Sequence, residues 1–398
     1  MDKDLYSTLT EEQMAAFQKD GYLVLRNTIE KSETKSLQKI IESEVQHTPY
    51  PPSLNYPEPA KYTVGGNRMS VPGLASIAEH PKVISAVECL LNQEVYLTAF
   101  VAYLRPPGDT GGRAHCDYKR WRPVGSSMNW VFAIIPLTDF NLDYGPLLVS
   151  PGSHKMLEVI DHDATILDLK HDPIQKIPEF INPELVAGDL LLMDGRTWHK
   201  APSGTTTDNR SGIFNKYCTV DSPPAAGYYP YNKSSWEALS DSGKRLLPVC
   251  FDSSLVSTQL LFESTKEAES KFLVLKSSDD KLSLPGGIGW EEEGVGWDIG
   301  SRIGSLQLLV KNQTGFDLPW ASYIEDIKTE TGISRVYGYV DKEFEPPHIP
   351  EGLWLSQHQL SNSVSVNHDI SQLIKTWNNK DIVRGKGKAF HQRKHQFD

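Results

Sequence analysis

Two histidines and one aspartate are the side chains of this chain best suited to bind a metal ion together. His115 and Asp117 are separated by a single residue, and His199 follows much later. Two imidazoles and one carboxylate form a face that binds non-haem Fe(II) and leaves coordination positions open for a co-substrate and O₂. Taken alone, a histidine two residues before an aspartate is a weak pattern, so the surrounding residues decide its meaning.

A basic residue beyond the second histidine adds to this pattern. Arg210 comes eleven positions after His199. A guanidinium at that place could bind the far carboxylate of a dicarboxylate co-substrate, ideally through two parallel hydrogen bonds. The alternative is a surface arginine, because Asn209-Arg210-Ser211 also resembles a turn.

Strands are expected to position these residues, because alternate residues of a strand face the same side. A strand through 115–117 would direct His115 and Asp117 toward one metal ion. Segments rich in β-branched and aromatic residues predict further strands at 95–104, 130–137, 147–149 and 189–193. Glycine and proline turns separate them, which favours a jelly roll, where a distant strand can bring His199 beside His115.

Two helices and one strand are predicted ahead of this region. Thr10 is a candidate N-cap for the first helix, a strand covers 21–25, and a second helix covers 31–44. The predicted fold is therefore mainly β with flanking helices, built around a double-stranded β-helix, or jelly roll.

Length and charge limit the possible functions. A chain of 398 residues exceeds the usual size of one domain, so two domains are expected. The formal net charge of −11 argues against nucleic-acid binding, and no apolar run is long enough for a membrane-spanning helix. Four scattered cysteines, and an N-terminus without an apolar stretch, predict free thiols in the cytoplasm.

Three motifs surround the candidate metal ligands. Pro106-Pro107-Gly108 leads into His115-Cys116-Asp117, and Gly145-Pro146-Leu147 is followed by Pro151-Gly152-Ser153-His154-Lys155. The third motif runs from Gly188-Asp189-Leu190 to Thr197-Trp198-His199. With the opening helix and strand, these motifs cover about residues 8 to 220 in order. The combination resembles the phytanoyl-CoA dioxygenase family of Fe(II)- and 2-oxoglutarate-dependent oxygenases.

The resemblance implies a role for each candidate residue. His115, Asp117 and His199 would bind Fe(II), and Arg210 would bind the distal carboxylate of 2-oxoglutarate, which is consumed with O₂ to give succinate and CO₂. Halogenases of this architecture have a small residue in place of the metal-binding carboxylate, so Asp117 favours hydroxylation. His154 lies in a Pro-Gly-Ser-His turn, and we expect it to be structural.

Cationic and aromatic residues near the first metal motif are candidates for the substrate pocket. They are Lys119, Trp121, Arg122 and Trp130, with Arg105, Arg113 and Arg196 in neighbouring segments. Trp121 resembles the tryptophan four residues after the metal aspartate in the ectoine hydroxylases of the family. The cations could attract an anionic small molecule, such as a carboxylate or a phosphonate. Alternatively, the cations face solvent and pair with surface acids, and the tryptophans belong to the core.

A motif in the C-terminal part resembles the start of a Nudix box. Leu284-Pro285-Gly286-Gly287 is followed by Glu293 at the required spacing, but Lys311-Asn312-Gln313 stands where that family has carboxylates for Mg²⁺. Without them, a phosphate-cleaving metal site cannot assemble in the usual way. The resemblance implies a smaller, degenerate α/β Nudix-like domain that serves packing, dimerisation or the shape of the pocket. A chance Leu-Pro-Gly-Gly is the alternative.

These observations predict three segments and two competing functions. The segments are a jelly-roll oxygenase domain at 1–250, a degenerate Nudix-like domain at 255–380 and a basic tail at 381–398. The leading hypothesis is a dioxygenase that hydroxylates an unactivated C–H bond of a small metabolite. A homodimer is a candidate assembly, and neither nucleic acid nor a membrane is an expected partner. The alternative is a catalytically idle jelly roll that acts as a binding or scaffold protein through its C-terminal domain.

Overall fold

The structure is a computed structural model, and it describes much of the chain in separate stretches. The described residues are 8–45, 62–109, 111–116, 129–158, 179–221, 231–248, 250–251, 256–265, 269–276, 282–288, 299–318, 321–329, 332–341, 352–361 and 370–378. The predicted basic tail at 381–398 lies outside them.

The chain contains a few helices and many short strands. The described helices are α1 (Glu11–Asp20), α2 (Lys31–Glu44), α3 (Leu74–Ala78), α4 (Pro81–Leu91), α5 (Lys233–Glu237), α6 (Ile299–Thr314), α7 (Gln357–Ser361) and α8 (Ile370–Asn378). The described strands are β1 (Tyr22–Leu25), β2 (Tyr62–Gly65), β3 (Val95–Ala99), β4 (Val101–Arg105), β5 (Gly112–His115), β6 (Trp130–Pro136), β7 (Leu148–Val149), β8 (Leu190–Asp194), β9 (His199–Ala201), β10 (Arg210–Thr219), β11 (Tyr231–Asn232), β12 (Cys250–Phe251), β13 (Val256–Ser264), β14 (Lys271–Lys276), β15 (Leu282–Ser283), β16 (Gly286–Ile288), β17 (Ser322–Thr329), β18 (Gly332–Asp341) and β19 (Gly352–Ser356).

Local sequence signals account for the first helices. The Thr10 side chain accepts a hydrogen bond from Gln13 N, and the Gln13 side chain accepts one from Thr10 N, which confirms the predicted N-cap of α1. Gly21 ends α1 with a φ of 78°, a left-handed conformation that favours glycine. The predicted second helix is confirmed as α2, with Leu37 and Ile41 buried.

Seven antiparallel strands form the larger sheet of the N-terminal part. Their order is β1-β8-β6-β10-β4-β2, and β3 also pairs with β10. Helices α2 and α4 pack against this sheet. Tyr217 of β10 donates a hydrogen bond to Ala78 O in α3 (2.9 Å). One face of the larger sheet is therefore covered by helices, and Tyr217 points to that face.

A smaller antiparallel sheet, β5-β9-β7, contacts the other face through Pro202, directly after β9. On β10, the residues Arg210, Phe214 and Lys216 point away from the helices, because strand residues an even number of positions apart share a face. Arg105 of β4 lies on the same interior face, and its Nη2 is 3.4 Å from Pro202 O, directly after β9. Two antiparallel sheets packed face to face are the arrangement of a jelly roll. The predicted mainly β fold with flanking helices is confirmed.

The C-terminal part contains a mixed sheet of its own. The strand order is β15-β14-β13-β18-β17, with β16 on β13 and β19 on β14, and β13 runs parallel to β18. Helix α6 packs on β13 and β16, and α8 packs on β17. Trp377 of α8 is buried and donates from Nε1 to Glu263 (2.7 Å). Among the described strands, none of this sheet pairs with a strand of the jelly roll.

Two strand predictions differ from the structure. The predicted strand 95–104 is divided at Phe100 into β3 and β4, since the Phe100 N–H donates to Tyr231 Oη (3.1 Å) and not to a neighbouring strand. Strand β5 ends at His115. The described strand therefore does not include Asp117, whose side chain was expected to share a strand face with His115.

Two broader predictions concern the environment of the chain. None of the described helices combines the length and the apolar character needed to cross a membrane. The described residues Cys89, Cys116 and Cys218 are free thiols. The cytoplasmic location of the chain stays a prediction.

Candidate metal and co-substrate site

The smaller sheet places the two candidate histidines side by side. His115 is the last residue of β5 and lies directly opposite His199, the first residue of β9. Their ring centroids are 4.3 Å apart, with 55° between the ring planes. On the other side of β9, Val149 of β7 is paired with His199. The topology thus brings together two imidazoles that are far apart in sequence, at a separation that suits one shared ion.

The backbone just before His199 orients its ring. The Nδ1 atom lies 3.0 Å from Thr197 O, within hydrogen-bonding distance. Because a carbonyl oxygen can only accept, Nδ1 carries the proton in this arrangement and Nε2 presents its lone pair. Metal-binding histidines are commonly held in this way by a backbone carbonyl on the other ring nitrogen. His199 is also buried, so its ring is oriented in a site screened from bulk water.

The N-terminal element supports the turn between β8 and β9. The Gly21 carbonyl accepts hydrogen bonds from Thr197 Oγ1 (2.9 Å) and from Asp194 N (2.9 Å). The Nε2 of His154 lies 3.2 Å from Gln18 O in α1. A Cβ on Gly21 would lie 2.3 Å from His154 Nδ1, which leaves no room for a side chain. His154 therefore contacts the first helix, and the neighbouring Ser153 accepts from Trp198 N of the turn (2.9 Å), so the predicted structural role of His154 is consistent with these contacts.

Four predicted site residues lie outside the described residues. Asp117, Lys119, Trp121 and Arg122 belong to the stretch 117–128, so their roles stay predictions. Within the part of the chain that the structure describes, no three His, Cys, Asp or Glu side chains form a metal-binding group. The described part of the site places two of the three candidate ligands together.

Arg210 is buried, although its sequence context also resembles a surface turn. Only 5% of the residue is exposed, and its guanidinium carbon lies 3.6 Å from the centre of the Phe140 ring. Its Nε and Nη2 have no hydrogen-bond partner among the described residues. Burial and then Arg105 lower the pKa of Arg210 well below its ordinary value, whereas Asp109 opposes this effect. A guanidinium still stays protonated in proteins, so Arg210 is a buried cation whose donors suit an anionic ligand.

Two other arginines near the motifs are paired with acids. The Nε of Arg105 donates to Asp109 Oδ1 (2.7 Å). Arg196 binds Asp194 through Nε (2.8 Å) and Nη2 (2.5 Å). Pairing with acids is the alternative that the sequence left open for these cations. Arg105 differs from a surface ion pair, however, because it is buried on the same interior face as Arg210.

Trp130 and Lys216 are buried on the interior face of the larger sheet. The Trp130 ring lies 5.5 Å from the Phe132 ring, and a Cβ on Gly195 would lie 2.3 Å from two Trp130 ring carbons. Lys216 is directly opposite Phe132, and its Nζ lies 4.8 Å from the centre of that ring. Lys216 was not predicted as a site residue. Its even spacing from Arg210 along one strand was the signal that could have found it.

The close contact between Gly195 and Trp130 predicts an effect on stability. Gly195→Ala should lower the free energy of unfolding by about 1–3 kcal/mol, because an added methyl group overpacks a filled core. Trp130→Phe in the same chain should relieve part of this strain. The double variant should therefore lose less unfolding free energy than the sum of the losses in the two single variants. Urea unfolding measures the free energy of unfolding of both single variants and of the double variant.

Gly112→Ala is the control for this prediction. Its Cβ would make an ordinary contact, 3.8 Å from the Ala201 Cβ, so stability should change little. An unchanged free energy of unfolding in Gly195→Ala would contradict the tight packing of Trp130.

Comparisons with known proteins show which family the N-terminal part of the chain resembles. Residues 17–212 match the family model described as phytanoyl-CoA dioxygenase. An ectoine dioxygenase from Bordetella bronchiseptica is 24% identical over 253 residues, which cover 56% of this chain and 80% of that protein. An ectoine dioxygenase from Halomonas elongata is 27% identical over 159 residues, covering 35% of this chain and 48% of that protein.

Solved structures are also similar to this chain. The crystal structure of EctD from S. alaskensis with bound Fe is 22% identical, with a TM-score of 0.43, and the match covers 54% of this chain and 79% of that one. The 2-oxoglutarate-dependent carbocyclase SnoK from nogalamycin biosynthesis is 18% identical, with a TM-score of 0.46, and the match covers 55% of this chain and 88% of that one. The family match includes both candidate histidines and Arg210, so this part of the chain is similar to the phytanoyl-CoA dioxygenase family, and the chain is an enzyme of the 2-oxoglutarate-dependent non-haem iron dioxygenase class.

Proposed function

We propose that this enzyme hydroxylates an unactivated C–H bond of a small metabolite, with His115, Asp117 and His199 as the ligands of Fe(II). The observation that carries the proposal is the pairing of His115 with His199, whose ring centroids are 4.3 Å apart. Two imidazoles at this separation suit one divalent ion, and Asp117 is the nearby carboxylate that completes the set. When bound, iron with 2-oxoglutarate and O₂ supplies the oxidising power for hydroxylation, with succinate and CO₂ as co-products.

The residues of the interior face hold the co-substrate and exclude water. Arg210 binds the distal carboxylate through Nε and Nη2, its buried donors without a partner among the described residues. Phe140 stacks on the guanidinium and fixes its plane. Phe214 packs against Tyr103 (5.0 Å between ring centroids) and Phe140 (6.1 Å). These rings keep water from the carboxylate, and lower local polarity strengthens its ion pair with Arg210.

Asp117 also supports oxygen transfer over halogen transfer in this proposal. A small residue at this position would leave one more coordination position for a halide. The chain has a carboxylate there instead. Hydroxylation of carbon is therefore the reaction that the predicted ligand set favours.

The proposed substrate is an anionic small molecule. Lys216 supports this choice, because it is a buried cation on the interior face that also carries Arg210. The predicted pocket residues Lys119 and Arg122 would add positive charge close to the metal motif. Cations around a pocket attract a carboxylate or a phosphonate even in a chain whose net charge is −11. The relatives named ectoine dioxygenase support a small molecule as the substrate class.

The C-terminal domain is proposed to be Nudix-like and without hydrolase activity. The loop of Leu284-Pro285-Gly286-Gly287 precedes α6, and Gln313 near the end of α6 reaches back to it. Gln313 donates from Nε2 to Gly286 O (2.7 Å) and accepts at Oε1 from Gly286 N (2.8 Å). An amide can make both bonds, whereas a carboxylate can only accept. Gln313 therefore serves packing where a hydrolase would need a Mg²⁺ ligand, and dimerisation through this domain is part of the proposal.

Succinate release tests the proposed reaction. The full chain with Fe(II), 2-oxoglutarate and air should release succinate when a suitable small acid is added, so a screen of carboxylates and phosphonates identifies the substrate class. Under anaerobic conditions, Fe(II) and 2-oxoglutarate should give a weak visible charge-transfer band. The absence of both the band and succinate would contradict the proposal and favour the idle binding or scaffold protein. Light scattering of the full chain measures whether it is a dimer.

A further inference from the structure

Two arginines lie side by side on the interior face of the jelly roll. Arg105 of β4 is directly opposite Arg210 of β10 in an antiparallel pair. Opposite residues share a face, and their Cβ atoms are about 4.5–5.5 Å apart. Both residues are buried, with 7% and 5% of their surfaces exposed. Like charges in this position repel each other, so the pair needs anionic partners.

Asp109 is the nearest acid to this pair. Its Oδ1 accepts from Arg105 Nε (2.7 Å) and from Arg105 Nη2, and it also accepts from Gly111 N (2.7 Å). Asp208, a second acid at the same crevice, is exposed and accepts from Tyr144 Oη (3.2 Å). Among the described charges buried at this place, two cations therefore share one carboxylate. A single further anion would balance them.

The remaining hydrogen-bond donors indicate what kind of anion fits. Nε and Nη2 of Arg210 and Nη1 of Arg105 are buried and have no hydrogen-bond partner among the described residues. Buried donors are nearly always paired in folded proteins, so three together on two neighbouring residues mark a ligand site. Both arginines line one crevice, which Tyr144, Thr206 and Asp208 also line. A carboxylate suits it, because two oxygens can accept from several N–H groups at once.

We propose that Arg105 is a second binding residue for the distal carboxylate of the keto-acid co-substrate, donating from Nη1 beside Nε and Nη2 of Arg210. This inference rests on the proposed function and deepens it by adding Arg105 and Asp109 to the co-substrate site. Asp109 holds the guanidinium of Arg105 in place and limits the site to one net positive charge. The consequence is selectivity, since a keto acid with an uncharged far end would leave this net positive charge unbalanced.

The binding of two keto acids to an Arg105→Gln variant tests this proposal. 2-Oxoglutarate and 2-oxopentanoate share the keto-acid head and the chain length, and only the first has a distal carboxylate. Calorimetric titration of the anaerobic Fe(II)-loaded full chain should show 2-oxoglutarate binding weakened by about tenfold or more, or about 1.4 kcal/mol. Binding of 2-oxopentanoate should stay nearly unchanged. Arg105→Lys keeps the charge without the forked donors and should give an intermediate affinity for 2-oxoglutarate.

Arg245→Gln is the matched control. Arg245 also pairs with a buried acid, Glu88 (2.7 Å), and it is not among the residues that line the crevice. This variant should bind both keto acids like the parent chain, and thermal unfolding checks that each variant is folded. Should Arg105→Gln fail to fold, Arg105→Lys provides the same comparison of the two ligands.

The outcomes separate this inference from the proposed function. If the Arg105 variants bind 2-oxoglutarate as tightly as the parent chain, Arg105 is not a binding residue, although the proposed function stands. Equal weakening of both keto acids would indicate a structural effect and would also overturn the inference. If the parent chain itself binds neither keto acid, the proposed function fails.

Discussion

Replacing His199 with alanine is expected to lower the rate of succinate release by at least about a thousandfold, which corresponds to about 4 kcal/mol of lost transition-state stabilisation. The reason is that His199 supplies one of two described imidazoles that face each other at 4.3 Å between ring centroids. A chain with one fewer ligand would bind Fe(II) weakly and would not orient the co-substrate. His115→Ala should have the same effect, because the two residues are opposite each other in the same strand pair.

Metal content and turnover should be measured on the same samples. Fe(II) bound per chain after anaerobic gel filtration should fall in His199→Ala, while thermal unfolding of the metal-free protein should change little by comparison. His358→Ala is the control, since His358 is an exposed histidine in α7 of the C-terminal part. Full turnover in His199→Ala would remove this residue from the metal site.

Arg210→Met is expected to raise the 2-oxoglutarate concentration needed for half-maximal turnover by about 10- to 100-fold, in line with about 1.5–3 kcal/mol for hydrogen bonds to a charged group. The rate at saturating 2-oxoglutarate should fall far less, because the distal carboxylate is remote from the reacting atoms. The Arg210 side chain is buried with Nε and Nη2 lacking partners among the described residues, so methionine should fill its place without a large loss of stability.

The stability of Arg210→Met decides between two roles for this arginine. If Arg210 is a binding residue, the free energy of unfolding of Arg210→Met, measured without co-substrate, should equal or exceed that of the parent chain. If the fold itself needs Arg210, the free energy of unfolding of this variant should fall by about 3 kcal/mol or more, as expected when a buried charge pair is broken. A large loss of stability with an unchanged 2-oxoglutarate requirement would exclude Arg210 from the co-substrate site.

The parts of the fold that depend on neighbouring residues in sequence could be predicted. The N-cap at Thr10 and the helix over Lys31–Glu44 are local patterns, and both are confirmed. The division of the strand at Phe100 could not be predicted, because it depends on Tyr231 from a distant segment. The hydroxyl of Tyr231 accepts from Phe100 N (3.1 Å) and donates to Leu97 O (3.0 Å), which replaces strand pairing at that point.

In the candidate site, too, only the features that depend on local sequence could be predicted. The motifs singled out His115, His199 and Arg210, because their residue types carry the chemistry. The burial of Arg210 and its position opposite Arg105 depend on the pairing of β4 with β10, which the sequence does not encode locally. Asp117, two residues beyond the end of described β5, stays a ligand predicted from sequence.

During ribosomal synthesis, the first helix is completed long before its partners exist. The carbonyl of Gly21 accepts a hydrogen bond from Thr197, which is added 176 residues later. At about 5–20 residues per second, that delay is roughly ten to thirty-five seconds. A helix as short as α1, with 10 residues, is not stable alone in water over such a time. The beginning of the chain and the turn that orients His199 therefore become ordered in the same late event.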